Sequence, residues 1–296
     1  MNALPTAGDA EGAPGGPRPS LADIRVARKV YPDPATGRER LILDRVAFTV
    51  GPAEFVALVG PSGCGKSTLL HLIAGLDQSF TGSIRWPGTP DGRRPRLGYC
   101  FQNPRLLPWL TLRGNIDLVL DDPAARAAAV DTLLTTMGLT AVGHFPANRL
   151  SVGMQRRAAL ARAFAVQPRL LLMDEPFVSL DAPTAGQLRG LLLDLCERQR
   201  PTVIFVTHDL YEATLLADRL LFLSAPPARV IGAVEVGIAR DRRRREALVD
   251  ARYAELKALF RALYQDAADG PEQPAKDGTD AWLDLRSHGD SCVRDV

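Results

Sequence analysis

The sequence predicts an α/β fold: a parallel sheet wrapped by helices, a small antiparallel β subdomain ahead of it, and an α-helical subdomain inserted into it. Three observations carry the prediction. Apolar runs recur as "FVALVG" at 55–60, "LGYCF" at 97–101, "LLLMD" at 170–174 and "TVIFVTH" at 202–208, each short, rich in branched residues and followed by a turn or helix signal. Residues 21–54 mix shorter strand-like runs with the turn "PDPATG". Between Gln102 and Phe164 the pattern becomes helix-compatible, in "PAARAAAVDTLLTTMGL" and "SVGMQRRAALARAFA", with Gly and Pro at the breaks.

The four apolar runs are continuous rather than alternating. Strands of that kind are covered on both faces, as in a parallel sheet with crossover helices. The expected organisation is a disordered tail over 1–20, a main domain over 21–240 with its helical subdomain at about 103–165, a helical extension over 241–267, and a mobile tail over 268–296 in which Trp282 and Leu285 are candidates for docking. The basic run "RDRRRRE" at 240–246 is expected to be a solvated helix start, because one short run seldom makes a binding face. No internal repeat is visible.

Composition narrows the function classes. Hydrophobic residues make up 46% and charged residues 24%, and no apolar run reaches the ~18 residues of a membrane helix. A formal charge of +2 is too weak a field for nucleic-acid binding. The start lacks the basic and apolar regions of a secretory signal. Cys64, Cys100, Cys196 and Cys292 show no paired spacing and are expected to be reduced thiols.

The chemistry begins at "GPSGCGKST": Gly60, Pro61, Ser62, Gly63, Cys64, Gly65, Lys66, Ser67 and Thr68. The pattern G-x-x-x-x-G-K-[ST] lies between the strand "FVALV" and the helix-compatible "STLLHLIAGL", as a P-loop NTPase (RecA-like) core requires. Glycines let backbone N–H groups curl round a phosphate, and the helix N-terminus adds its positive dipole end. Lys66 can then reach the β and γ phosphates, and Ser67 can ligate Mg²⁺. "LLLMDEP" ends a buried strand in Asp174, a second magnesium ligand, with Glu175 next to it as general base for an attacking water. A third element, "RLSVGMQRRAALARAFA", opens a helix at Ser151 and Gly153; a Ser hydroxyl with free N–H groups is a ready anion site, but its phosphate must come from elsewhere.

In order and spacing, these elements resemble the ATP-binding subunit of an ABC transporter over roughly residues 22–240. The resemblance implies that Tyr31 stacks on adenine, that Gln102 is the Q-loop residue sensing γ-phosphate and metal, that Asp181 in "SLDA" lies at a subunit contact, and that His208 is the switch histidine on the γ-phosphate. His71, His144 and His288 are expected to be structural. The family signature usually reads "LSGGQ" or "LSGGMQQR"; here Ser151 and Gly153 are kept, Val152 replaces the first glycine, and Met154 precedes Gln155.

Two readings follow. An active ATPase rests on Lys66, Asp174, Glu175 and His208; a nucleotide-binding regulatory module with slow or no hydrolysis rests on Val152 and Met154. The resemblance further implies ATP and Mg²⁺ as cofactors, a head-to-tail dimer with a second copy, integral membrane permease subunits, indirectly a solute-binding protein, and a peripheral position on the cytoplasmic face of the cell membrane. "FQNPRLLPWLTLRGNI", Phe101 to Ile116, is similar to importers for nitrate, sulfonate and taurine, as is the tail after His208, where "PAR" stands in place of that group's "PGR" turn leading into a strand; an exporter ATPase is the other direction. The about 48 residues between Gln102 and Ser151 cannot hold the coiled coil of a chromosome-maintenance or DNA-repair relative, and one cassette is not the usual pair of a translation factor. A P-loop kinase or GTPase lacks the Ser151 segment and His208.

Overall fold

The computed structural model describes residues 20–33, 37–121 and 123–269. The expectations for residues 1–19, Trp282, Leu285, His288 and Cys292 lie outside the described residues.

A six-stranded sheet forms the centre. Its strands in chain order are β3 (Phe55–Val59), β5 (Leu97–Cys100), β6 (Leu170–Asp174), β7 (Thr202–Thr207), β8 (Arg219–Leu223) and β9 (Val230–Glu235), arranged β5-β6-β7-β3-β8-β9. All neighbours pair in parallel except β8 with β9, which is antiparallel. Every residue of β3, β6 and β7 is buried. At about 1.5–3 kcal/mol for each large apolar side chain removed from water, these strands anchor the fold.

Alternate residues serve opposite faces. Phe55, Leu171, Met173, Val203 and Phe205 pack with α4 (Val152–Ala165), α5 (Ala182–Gln199) and α6 (Leu210–Leu216). Val56, Leu58, Leu170, Leu172, Ile204 and Val206 pack with α1 (Lys66–Ala74) and with a second sheet. That sheet is antiparallel, in the order β2-β1-β4: β1 (Ala22–Pro32), β2 (Glu39–Val50) and β4 (Thr81–Arg85). Helices therefore cover one face, whereas the other is shared by α1 and the small sheet. The strands of residues 21–54 are long rather than short, at 11 and 12 residues, and the third arrives from beyond α1.

Between β5 and β6 come α2 (Leu112–Asp117), α3 (Pro123–Thr136) and α4, the last two joined through two 3-10 turns. The chain ends its described part in α7 (Glu246–Asp269), packed along α6. No helix among the described residues is long and apolar enough to cross a membrane.

The basic run before α7 corrects an expectation. Only part of it is solvated: Arg243 is 2% exposed and donates to the carbonyls of Leu216 and Ile238 and to Asp218, while Arg240 donates to Asp218 and to the Ala53 carbonyl. Asp218 also accepts from the Phe55 N–H. Burial pushes its carboxyl up, but the bonds from Arg240 and Phe55 and the charge of Arg243 outweigh it, so the net shift is downward. The basic run rivets α7 to the sheet. Cys64, Cys100 and Cys196 are unpaired and buried, and burial pushes the last two thiols up to about 12.

Candidate functional site

Strand order explains why the chemistry converges. β7 lies between β6 and β3, so the carboxyl ends of three neighbouring strands carry Asp174 with Glu175, His208, and the glycine-rich loop. Ligands of open α/β sheets bind at such an edge.

The loop takes its shape from two glycines. Gly63 has φ +75 and Gly65 φ +112, in the region that side chains resist. At Gly65 a Cβ would also lie 2.8 Å from Ile42 Cγ2, so both conformation and space require glycine. Gly65 is the N-cap of α1 and has no side chain to satisfy the first N–H groups, leaving them available to an anion. Pro61 and Ser62 lie along the loop, and Cys64 packs beneath it. Lys66 is 4% exposed; its Nζ donates to the carbonyls of Gly60 and Pro61, each at 2.8 Å, and stands 4.0 Å from Glu175 Oε1.

Ser67 Oγ donates to Asp174 Oδ1 at 3.0 Å. Burial raises the Asp174 carboxyl, the Ser67 bond lowers it, and Glu175 raises it further. A hydroxyl and a carboxylate side by side, in a place that disfavours negative charge, suit Mg²⁺. No cluster of three His, Cys, Asp or Glu exists among the described residues. Mg²⁺ needs none, since it takes one or two protein oxygens and completes its shell with phosphate and water.

Glu175 adopts φ +45, a left-handed conformation costing about 1–3 kcal/mol in a non-glycine residue. Its N–H is held by the Val206 carbonyl at 2.9 Å, and its Oε1 lies 3.2 Å from His208 Nδ1. The strained turn thus aims the carboxylate across β7 at the histidine.

Tyr31, 37% exposed, is tethered: its hydroxyl donates to Asp77 Oδ2 at 2.7 Å, and Lys29 Nζ stands 4.3 Å from its ring centroid. Burial raises its phenol, and Asp77 adds to that; a bond to Thr68 acts the other way and sets the ring beside the start of α1. Sequence reasoning missed Lys29 and Asp77. Lys29 is 2% exposed and bonded to the Ser79 carbonyl and Asp77, a pairing between β1 and the segment after α1 that no local pattern announces.

Ser151, Gly153, Gln102 and Asp181 stand outside the bonded group of Lys66, Ser67, Asp174, Glu175 and His208. Gln102 is exposed two residues beyond β5. Asp181 is the N-cap of α5, accepting from Thr184 N–H at 3.0 Å. Ser151 is the N-cap of α4; its Oγ accepts from Met154 N–H at 3.3 Å. Val152 occupies the first helical position, where a β-branched side chain is tolerated, and is 53% exposed. At Gly153 a Cβ would lie 2.9 Å from Thr184 Cγ2, so the glycine lets α4 approach the start of α5. Gln155 holds the Leu150 carbonyl, and Arg156 reaches the Pro176 carbonyl at 2.7 Å, tying this helix to the turn after Glu175.

The segment after Gln102 is organised by Asn115, which is fully buried. Its side chain accepts from Leu107 N–H and donates to the carbonyls of Leu107, Leu110 and Thr111, leaving Trp109 73% exposed.

The chain is similar to known proteins. The family model described as ABC transporter matches residues 43–178. The aliphatic sulfonates import ATP-binding protein SsuB 2 of Burkholderia cenocepacia is 44% identical over 254 residues, spanning 86% of this chain and 92% of that protein. The bicarbonate transport ATP-binding protein CmpC of Synechocystis is 42% identical over 237 residues, which cover 75% of this chain but only 34% of CmpC. Among solved structures, a dimeric post-hydrolysis state of the ATP-binding cassette MJ0796 bound to ADP and Pi superposes with a TM-score of 0.64 at 28% identity, covering 74% of this chain and all of that one.

Proposed function

This chain belongs to the ABC transporter family of ATP-binding proteins, and from that premise we propose that it hydrolyses ATP to energise import of a small solute, of the sulfonate, nitrate, taurine or bicarbonate kind, through membrane partners. The observation that carries the ATPase reading is the bonded set of Lys66, Ser67, Asp174, Glu175 and His208 around one glycine-rich loop.

ATP lies with its β and γ phosphates in the loop. Lys66 exchanges its two carbonyl partners for phosphate oxygens, a stronger, charge-assisted bond. Ser67 and Asp174 would hold Mg²⁺, with Gln102 as a further ligand. When bound, the ion neutralises charge on the β and γ oxygens. Glu175 accepts a proton from water as the water oxygen bonds to the γ phosphorus and the bond to the β–γ bridging oxygen breaks. His208, held against Glu175, orients the base and contacts the γ-phosphate. Tyr31 stacks on adenine.

The second half of the site comes from another copy. Ser151 and Gly153 head a helix whose free N–H groups meet the γ-phosphate held by the opposite chain, and Asp181 lies at the seam. Turnover per molecule should therefore rise with protein concentration and level off once dimers prevail; turnover independent of concentration over the dilute range would remove the dimer from the reading.

Permease subunits dock on the Trp109 face at the cytoplasmic side of the membrane, with a solute-binding protein upstream. Import is favoured by the Phe101–Ile116 segment, whose apolar tip stays exposed because Asn115 pins its base. Trp109→Ala should weaken co-purification with an integral membrane partner while leaving ATP binding intact; undiminished co-purification assigns the docking face elsewhere.

A further inference from the structure

The turn that carries His208 is held by residues outside the bonded set described above. Thr207 Oγ1 accepts from Asp209 N–H at 3.0 Å and donates to Glu212 Oε2 at 3.1 Å. Asp209 in turn caps α6 by accepting from the N–H groups of Tyr211 and Glu212. His208 therefore sits between two residues whose positions depend on one buried carboxylate. The other oxygen of that carboxylate accepts from Arg189 Nη1 at 3.4 Å, and Arg189 belongs to α5, the helix that begins at Asp181. The Arg189 guanidinium also lies 5.9 Å from the ring centroid of Phe177, two residues beyond Glu175, and Phe177 packs edge-on against Phe205 of β7. Arg189 Nε has no hydrogen-bond partner among the described residues. Nothing in the catalytic scheme uses this Glu–Arg pair, yet burying the Glu212 carboxylate beside a half-buried arginine is costly and needs a reason.

We propose that Glu212 is a positioning residue for His208: through Thr207 it holds the histidine's turn, and through Arg189 it couples that turn to α5. This rests on the reading of His208 as a residue of the nucleotide site.

The coupling has a chemical handle. Burial pushes the Glu212 carboxyl up to about 7, and the charge of Asp209 adds to this, while the Thr207 bond, Arg189 and His208 pull it down. These are the charged groups near it from the turn and from α5; α7 sets Asp250 and Glu246 against the neighbouring Tyr211. Above pH ~7 Glu212 is an anion bonded to Thr207 and paired with Arg189. Below it the carboxyl is neutral, the ion pair is lost, and the turn loses its tie to α5.

The test measures kcat and KM for MgATP from pH 6 to 8.5 in the full chain and in Glu212→Gln, Arg189→Met and His208→Ala. Glu212→Gln copies the protonated form in shape and charge. Its kcat at pH 8 should fall by on the order of tenfold to a hundredfold, and the acid limb of its profile should flatten. KM should stay within about twofold, because binding is untouched. Arg189→Met removes the cation, so its acid limb should move to higher pH. A Glu212→Gln variant with wild-type kcat, or one with lowered kcat but an unchanged acid limb, overturns the proposal. If that variant does not fold, an unmoved limb in Arg189→Met overturns it. Unchanged turnover in His208→Ala refutes the histidine's own role instead, so the two failures are distinguishable.

Discussion

The two rims of the nucleotide cleft are built on different principles. On the loop rim the functional groups touch one another: Lys66 is 4% exposed, Asp174 is 6% exposed, and Glu175 meets both Lys66 and the exposed His208. On the signature rim the groups face outward: Val152 is 53% exposed, and among the described residues the Ser151 hydroxyl bonds only within its own helix. The first rim is organised by one chain, whereas the second is a helix N-terminus waiting for an anion. Under the proposed two-copy site, the difference teaches that one fold would carry both halves of the reaction without bringing them together itself.

The strongest test of the loop rim is Glu175→Gln. Removing the general base should lower turnover on the order of 10²- to 10⁴-fold while ATP still binds, measured by phosphate release beside equilibrium binding. Turnover close to wild type would strip Glu175 of its role. Lys66→Ala comes next. Loss of charge-assisted bonds worth about 1.5–3 kcal/mol should weaken ATP binding roughly 10- to 100-fold, as read by titration with a fluorescent nucleotide.

Ser151→Ala then probes the other rim. The lost helix cap should cost about 1 kcal/mol, a melting shift of about 2–4 °C for a domain of this size. Turnover should fall much further than that shift explains, with ATP affinity of the dilute chain unchanged. If turnover tracks stability alone, Ser151 is merely a cap and the contrast between rims dissolves.

The smallest effect belongs to Asp181. Its carboxyl is held below the ordinary range by the Thr184 backbone N–H and hydroxyl. A depressed folded value means that its contribution is complete above the ordinary Asp value and is lost as pH falls through the folded one. The melting temperature of Asp181→Asn should therefore decline less steeply in acid than that of the parent; parallel declines would sever the cap from the acid response. Because Asp181 is exposed, the difference is small.

The glycine-rich loop, Asp174, Glu175 and the N-cap Ser151 could be read from the chain because each depends on a few consecutive residues: strand, turn and helix start are local geometries with local residue requirements. The buried strands were legible for the same reason. What escaped reading were contacts between distant segments. β4 joins the small sheet from beyond α1, Arg243 rivets α7 to Asp218, Lys29 meets Asp77, and Arg189 reaches Glu212. In sequence these are ordinary charged residues, and "RDRRRRE" reads as solvated throughout because two of Arg243's acceptors, Asp218 and the Leu216 carbonyl, belong to a distant segment.

Sequence alone determined the elements and the chemistry available at their ends, since backbone propensity, apolar continuity and phosphate-loop spacing are properties of short windows. Tertiary structure decided which of those ends share a cleft and which charges are buried. Strand order sets β7 between β6 and β3, and burial gives Glu212 and Asp218 opposite fates according to whether enough donors surround them. Distance and dielectric exist only after folding, so no reading of residues in order could supply them.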